Sequence, residues 1–302
     1  MMGTPVLGQD AVQAEAQIPE TWVRGEALRV TLSYVGGEQG SVLEAWQLGA
    51  GAFQVAGQPL AERSNTASIP LGAGDRLQLE LDLSKLLQAQ RSSFELELHG
   101  SRGSAHGVRL LEPVAAGFDF MAAPVASLAQ HLVLLRTLHG EMLFELWPDV
   151  APQHVRNWLD LASSGFYDGV QFHRVSPSFM IQGGCPNTRS DRRERWGLGV
   201  GPRTVPLELS DRLHEKGVLS MARGPELDSG SSQFFVMTRK SPQLDGGYST
   251  FGKLLSGFDA LAKIGNAQGR QKNGTITPDQ PQRIFQAIVV RQPSPQGQGG
   301  GR

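Results

Sequence analysis

The stretch FHRVSPSFMIQGG, residues 172–184, places a cation, large apolar side chains and an amide close together. Arg174 lies in a strand-like run, and Phe179, Met180 and Gln182 follow it. A guanidinium beside an apolar surface can donate a stronger hydrogen bond than in water, because the local dielectric constant is low. An arginine in such a run is more often a surface residue or half of an ion pair, so the functional interpretation depends on further motifs.

Other features nearby could suggest different chemistry, and each has a simpler interpretation. Cys185 is the only cysteine, and without a paired base in the nearby sequence it is more often a packing residue than a nucleophile. His173 is expected to be a packed or hydrogen-bonded ring, and the histidines lack the spacing of metal ligands. The GLGVG segment, residues 197–201, resembles part of a dinucleotide-binding loop, but no strand–turn–helix unit surrounds it, so it is predicted to be a loop. The charged run SDRRERW, residues 190–196, is typical of a solvated loop.

Period-two alternation of apolar residues predicts a β-rich N-terminal domain over residues 21–115. The strand-like runs are 27–37, 74–84, 94–100 and 107–113. Their spacing and Gly-rich turns predict a small antiparallel β-sandwich. Trp22, Trp46 and Phe53 are more typical of a core than of a carbohydrate-binding platform, so sugar binding is the weaker alternative. Residues 1–20 are polar and are predicted to be disordered.

A different pattern occupies residues 129–292, after an Ala- and Pro-rich segment, 116–128, that is predicted to be an interdomain linker. Strands outnumber helices here, which favours a closed β-barrel with two helices over a doubly wound sheet. The tail, 293–302, is low-complexity and predicted to be disordered. The expected elements are a hairpin over 131–149, a helix capped by Asp149 with Val155, Trp158, Leu159 and Ala162 on one face, strands at 217–223 and 232–238, a helix at 256–266 and a strand at 282–292.

The bulk composition argues against several classes of protein. With 19% charged and 39% hydrophobic residues in 302, the chain resembles globular domains. Its net charge of −1 gives no sign of nucleic acid or an anionic membrane as an obligatory partner. No apolar run is long enough for a membrane span, and the N-terminus lacks a signal-peptide pattern. A cytoplasmic location is therefore expected, or a periplasmic or secreted one if the N-terminus has been trimmed.

Several motifs occur in a fixed order: FYDGVQFHRVSPSFMIQGG, GVLSMAR, SSQFFVMT and LDGGYSTFGKL. Over residues 129–292, the chain resembles the cyclophilin family of peptidyl-prolyl cis-trans isomerases. The resemblance implies an eight-stranded antiparallel β-barrel capped by two helices, with an active groove on its outer face and no cofactor or metal. It also implies that Arg174 is the catalytic residue. The substrate-binding residues that it implies are Phe179, Met180, Gln182, Ala222, Arg223, Gln233, Phe235, Leu244 and Tyr248, with the backbone of Ala222 and Arg223 binding the residue before proline.

This chain departs from well-known eukaryotic members of that family at three positions. Arg223 stands where they often carry asparagine, which a backbone role tolerates. Tyr248 replaces histidine, and a planar amphipathic ring can still form part of the pocket. Gln243 occupies the position of a tryptophan in drug-sensitive members, so the resemblance implies weakened cyclosporin binding with catalysis less affected.

The implied reaction breaks no covalent bond, so it needs no nucleophile, metal or general base. Rotation about an X-Pro bond faces a barrier of about 18–20 kcal/mol because the amide has partial double-bond character. Arg174 is expected to donate a hydrogen bond that strengthens as the amide nitrogen regains its lone pair, while Gln182 fixes the moving carbonyl. Lowering the barrier by ~7 kcal/mol would accelerate exchange about 10⁵-fold.

Two functions stay open at this point. The first is a peptidyl-prolyl isomerase acting on exposed X-Pro bonds in unfolded or flexible protein segments, with the N-terminal domain binding clients or partners. The second is a proline-peptide-binding chaperone or adaptor with little turnover, for which the substitutions at Gln243 and Tyr248 leave room.

Overall fold

Most of the regular structure is β-strand, which confirms the mainly β fold class. The computed structural model describes residues 13–38, 41–44, 47, 50–55, 58–61, 68–90, 92–98 and 105–291. These residues fall into two compact units, one before Pro113 and one spanning Pro113–Arg291. No helix in the described part of the chain has the length and apolar character needed to cross a bilayer.

The N-terminal unit is made mostly of strands. In β3 (Arg29–Val35), Val30, Leu32 and Tyr34 are buried and the residues between them are not, as period two requires. The strands pair in the orders β1-β3-β8, β4-β7 and β6-β5-β9-β10-β2. Their bounds are β1 (Gln13–Gln17), β2 (Thr21–Val23), β3 (Arg29–Val35), β4 (Ser41–Glu44), β5 (Phe53–Val55), β6 (Gln58–Pro59), β7 (Ser68–Leu71), β8 (Arg76–Asp82), β9 (Phe94–Leu98) and β10 (His106–Pro113).

Two expectations for this unit need correction. The prediction of disorder over residues 1–20 was wrong for Gln13–Gln17, which pair with β3; residues 1–12 lie outside the described residues. Strands β2 and β10 pair in parallel, so the unit is not purely antiparallel, and the long intervening chain supplies the crossover that parallel pairing needs. The β-sandwich stays a prediction.

The aromatic residues of this unit behave as core. Trp22 and Phe53 are both buried in its hydrophobic cluster, as predicted. Trp46 lies outside the described residues.

The C-terminal unit contains one continuous antiparallel arrangement of strands in the order β18-β19-β13-β14-β16-β15-β17-β12-β11-β20. The closed eight-stranded barrel implied by the resemblance stays a prediction. The strands are β11 (His131–Thr137), β12 (Gly140–Leu146), β13 (Arg174–Ser176), β14 (Met180–Gly183), β15 (Val218–Met221), β16 (Phe234–Met237), β17 (Thr250–Ser256), β18 (Gly269–Lys272), β19 (Thr275–Pro278) and β20 (Ile284–Arg291), and the helices are α1 (Val125–Leu128), α2 (Pro152–Ser163) and α3 (Phe258–Gly265).

Helix α2 packs its apolar face on the core, as its sequence predicts. Its Trp158 ring lies 5.6 Å from the ring of Phe144 and 5.5 Å from that of Phe234. The predicted cap was wrong: the N-cap position is Ala151, which makes no side-chain cap bond, while Asp149 pairs with Arg212.

A distant carboxylate replaces the missing cap of α2. Glu208 accepts hydrogen bonds from the backbone nitrogens of Gln153 and His154, both at 3.0 Å, and from His154 Nδ1 at 2.6 Å. A negative charge at this end also complements the helix dipole.

The segment predicted as a linker, 116–128, belongs instead to the second unit. Phe120 and Leu128 are buried in its core, and Leu128 ends helix α1. Arg156 Nη1 donates hydrogen bonds to carbonyls of this segment, including that of Phe120 at 3.0 Å. The Ala/Pro-rich composition obscured the few large side chains that fix the segment in place. The tail 293–302 lies outside the described residues.

Candidate active site

Strand alternation decides which side chains of β13 and β14 face the core and which face the site. Val175 and Ile181 lie in the main core. Because side chains alternate along a strand, Arg174, Met180 and Gln182 face the opposite side. The antiparallel register places Arg174 directly across from Gln182.

The guanidinium of Arg174 is held by this neighbour. Arg174 Nη1 donates to Gln182 Oε1 at 2.9 Å, and the residue as a whole remains exposed. Desolvation by the surrounding protein lowers the pKa of Arg174 from its usual value, yet a guanidinium stays protonated in proteins. The site therefore presents a fixed cation to whatever enters it.

A chain of amide hydrogen bonds extends the contact. Gln182 Nε2 donates to Gln233 Oε1 at 3.0 Å. Gln233 Nε2 in turn donates to the carbonyls of Gly197 and Gly199, both at 2.8 Å. This direction of donation leaves Gln182 Oε1 facing Arg174, so each amide has one preferred orientation. Sequence reasoning assigned Gln182 to a substrate carbonyl, but here its oxygen is engaged by Arg174. Within the described part of the chain, Nε2 donates to Gln233 alone, so its second hydrogen can bind a ligand.

An apolar cluster lies beside this chain and gathers most of the remaining predicted residues. Alternation again separates two adjacent aromatics, since Phe234 and Val236 enter the main core while Phe235 joins this second cluster. The cluster consists of buried Trp147, Met180, Val218, Phe235 and Met237, with Val150, Phe179, Ala222, Leu244 and Tyr248 packed against it. The structure thus brings the cationic and the apolar parts of the predicted site together.

The far wall of the site includes contacts that the sequence did not suggest. The Tyr248 ring meets the Phe235 ring edge-on, with 5.7 Å between centroids. The guanidinium of Arg223 lies over Tyr248 at 5.0 Å and also donates to the Gly247 carbonyl at 3.1 Å. Arg223 was predicted to act through its backbone; its side chain additionally fixes Tyr248. The Ala222 N–H donates to the Gln233 carbonyl at 3.0 Å and is therefore engaged within the protein.

Gln243 is exposed on a 3-10 turn, Pro242–Leu244, beside the wall residue Leu244. The effect of Gln243 on cyclosporin binding stays a prediction.

A buried histidine that sequence reasoning missed supports the site from behind. His214 stacks on Phe235 with an interplanar angle of 10°. Its Nδ1 lies 2.8 Å from Asp245 Oδ1 and its Nε2 lies 3.1 Å from Ser220 Oγ. The His214 backbone N–H also donates to Asp245 at 2.8 Å. No short-range pattern links these positions, so only the tertiary fold reveals the contact.

His173 is a packed ring, as predicted, with only 5% of its surface exposed. Neither ring nitrogen makes a hydrogen bond of normal geometry to the described residues. Burial, together with the charge of Arg174, lowers the pKa of His173 from 6.5 to about 4. The ring is therefore neutral at physiological pH and contributes no charge beside Arg174.

Comparison with known proteins identifies the family. The family model described as cyclophilin type peptidyl-prolyl cis-trans isomerase/CLD matches residues 132–289, more than half of the chain. The chain belongs to the cyclophilin family. Its C-terminal unit is accordingly a cyclophilin-type peptidyl-prolyl cis-trans isomerase domain, and the match does not include the strands of the N-terminal unit.

The chain is similar to several individual peptidyl-prolyl cis-trans isomerases. Peptidyl-prolyl cis-trans isomerase B of Bacillus subtilis is 42% identical over 125 residues, which are 41% of this chain and 82% of that protein. A peptidyl-prolyl cis-trans isomerase of Schizosaccharomyces pombe is 36% identical over 161 residues, 52% of this chain and 98% of that protein. A cyclophilin type isomerase of Cryptosporidium parvum, crystallised in the presence of the dipeptide Ala-Pro, aligns at 30% identity over 52% of this chain and 98% of its own, with a TM-score of 0.47.

Proposed function

We propose that Arg174 is the catalytic residue of this cyclophilin and that the apolar cluster around Phe235 binds the proline ring. One observation carries the proposal: Gln182 holds the guanidinium at 2.9 Å on the same face of the sheet as that cluster. A proline ring placed on the cluster would bring its amide nitrogen within reach of a fixed hydrogen-bond donor.

The chemistry follows from what changes during rotation. In the planar amide the nitrogen lone pair is delocalised, and in the twisted transition state it is localised and can accept a hydrogen bond. A donor that is already oriented gains interaction energy only in the twisted state, which is the condition for lowering the barrier. The remaining Nε2 hydrogen of Gln182 can hold a substrate carbonyl while the preceding peptide group turns.

The substrate class proposed is an exposed X-Pro bond in an unfolded or flexible protein segment. Phe179, Met180 and Leu244 offer apolar contacts to the ring, and Tyr248 closes the wall held by Arg223. These apolar contacts are made to the proline ring rather than to the residue before it, which supports broad substrate use.

The test measures exchange of a proline peptide by NMR in the presence of the full chain. We expect Arg174→Ala to lower kcat/KM by about 10²-fold, the loss typical of removing one preorganised donor. Arg174→Lys keeps the positive charge but loses the planar guanidinium, so its kcat/KM should lie between those of the wild type and Arg174→Ala. Arg270→Ala, which removes an exposed arginine on β18, serves as the matched control and should retain full activity. A wild-type rate no higher than that of Arg174→Ala would refute the assignment.

A binding module with little turnover is the second candidate. Tyr248 and exposed Gln243 differ from the well-known eukaryotic members, and both lie at the wall where a peptide would rest. Peptide binding with micromolar affinity but no acceleration of exchange would favour this alternative.

We further propose that the N-terminal unit captures client proteins. The separate compact unit before Pro113, which lies outside the family match, supports a role beyond the isomerase reaction. The test compares the full chain with a fragment that begins at Pro113, because Phe120 and Leu128 belong to the isomerase core. If the fragment matches the full chain on a short peptide but is less active on a slow-folding protein, client capture is supported. If the fragment matches the full chain on both substrates, client capture is excluded.

A further inference from the structure

The GLGVG segment, which the isomerase reaction does not explain, contacts the site directly. The carbonyls of Gly197 and Gly199 each accept a hydrogen bond from Gln233 Nε2 at 2.8 Å. An amide nitrogen has two hydrogens, so this turn takes both of them. Gln233 is thereby left with its oxygen facing Gln182, and Gln182 with its oxygen facing Arg174.

The turn itself is tightly held by the protein beneath it. The backbone nitrogens of Gly197 and Gly199 both donate to Cys185 Sγ at 3.3 Å, and Cys185 is fully buried. Asn187 Nδ2 donates to the Arg195 carbonyl at 3.0 Å on the same side of the turn.

Both positions of the turn favour glycine. Gly197 has a φ of +83°, which side chains other than glycine adopt at a cost. A Cβ at Gly199 would lie 2.9 Å from Cγ of Asn187, closer than real contacts allow. The glycines therefore allow the turn to approach Cys185 and Gln233 at the same time.

We propose that the turn Gly197–Gly199 is a positioning element for Arg174, acting through Gln233 and Gln182, with Cys185 as its anchor. If the turn shifts, Gln233 can rotate its amide and offer N–H groups to Gln182. Gln182 would then rotate in turn and present N–H groups to the guanidinium, which has no acceptor to offer them. The catalytic cation would lose its fixed direction without being removed. This inference rests on the proposed catalytic role of Arg174.

A double-mutant cycle on the full chain tests the relay. We expect Cys185→Ala to lower kcat/KM for a proline peptide by about 5-fold, a smaller loss than that of Arg174→Ala because the cation is misdirected rather than lost. In a Gln233→Leu background the relay is already broken. There the same substitution should lower kcat/KM by less than about 2-fold, because the effects of substitutions within one network are not additive.

A structural control separates positioning from general destabilisation. Thr137→Val removes a buried hydroxyl that donates to the Gly140 carbonyl at 2.7 Å in the turn between β11 and β12, where the relay has no residue. It should lower the melting temperature without changing kcat/KM at a temperature where every variant is folded. The ¹⁵N signals of the Arg174 guanidinium should show faster rotation in Cys185→Ala and Gln233→Leu but not in Thr137→Val.

A second variant covers the case in which Cys185→Ala does not fold. Asn187→Ala removes the bond to the Arg195 carbonyl and should show the same loss of activity and the same non-additivity with Gln233→Leu. Equal losses in both backgrounds, or no loss in either, would overturn the relay. If Arg174→Ala itself retained full activity, the proposed function would fail instead, so the two outcomes are distinguishable.

Discussion

The buried ring of His173 makes the stability of the isomerase unit depend on pH. Its pKa lies at about 4 instead of the usual 6.5, because burial disfavours the charged ring. At a pH between these two pKa values, His173 binds a proton in the unfolded chain but not in the folded protein. The free energy of unfolding is therefore highest above the unfolded pKa of 6.5. It decreases as the pH falls, until the folded ring also protonates near a pH of about 4.

The size of this effect follows from the two pKa values. At about 1.4 kcal/mol for each pH unit, the full loss is about 3 kcal/mol. At pH 5.0, about 2 kcal/mol of it should already be lost relative to pH 7.5. The variant His173→Phe keeps a planar ring of similar shape but cannot bind a proton, so it should lack this contribution.

The assay measures urea unfolding of the full chain at pH 7.5 and pH 5.0, with hydrogen exchange of amides in β14 and β16 reporting on the isomerase unit. His131, whose pKa is also lowered by burial, titrates in both proteins, so its contribution cancels in the comparison. The free energy of unfolding should fall by about 2 kcal/mol more in the wild type than in His173→Phe. An identical pH dependence in the two proteins would refute the reasoning.

Three further predictions concern other sites. Glu208→Ala should lower the free energy of unfolding by about 2 kcal/mol, because it uncaps α2 and leaves His154 unpaired. Urea denaturation measures this change, and the control Glu208→Gln should show a smaller loss. His214→Ala should lower both the melting temperature and kcat/KM, because it removes the ring behind Phe235; a melting curve with an unchanged midpoint would contradict it. Gln243→Trp should tighten cyclosporin binding by about 10-fold or more, since a buried aromatic contact contributes roughly 1–2 kcal/mol. Calorimetry measures the change, and equal affinities of the wild type and Gln243→Trp would count against a role for this position.

The relation between sequence and structure differs from element to element. Period-two patterns predicted strands such as β3 and β8, because alternation along a strand depends only on local geometry. Helix α2 was placed correctly by its apolar face, but its cap was not, because the capping carboxylate of Glu208 is brought from far along the chain. The segment 116–128 was misread as a linker because its composition conceals two buried side chains, Phe120 and Leu128.

By itself, the sequence determined the mainly β class and the family of the C-terminal unit, because ordered motifs survive in the linear chain. It also supplied the residue types of the candidate site, from Arg174 to Tyr248. Only the tertiary structure decided that Gln182 orients the guanidinium of Arg174, and that Gln233 in turn orients Gln182. Such contacts depend on the register of strands distant in sequence, and a linear pattern carries no direct record of that register.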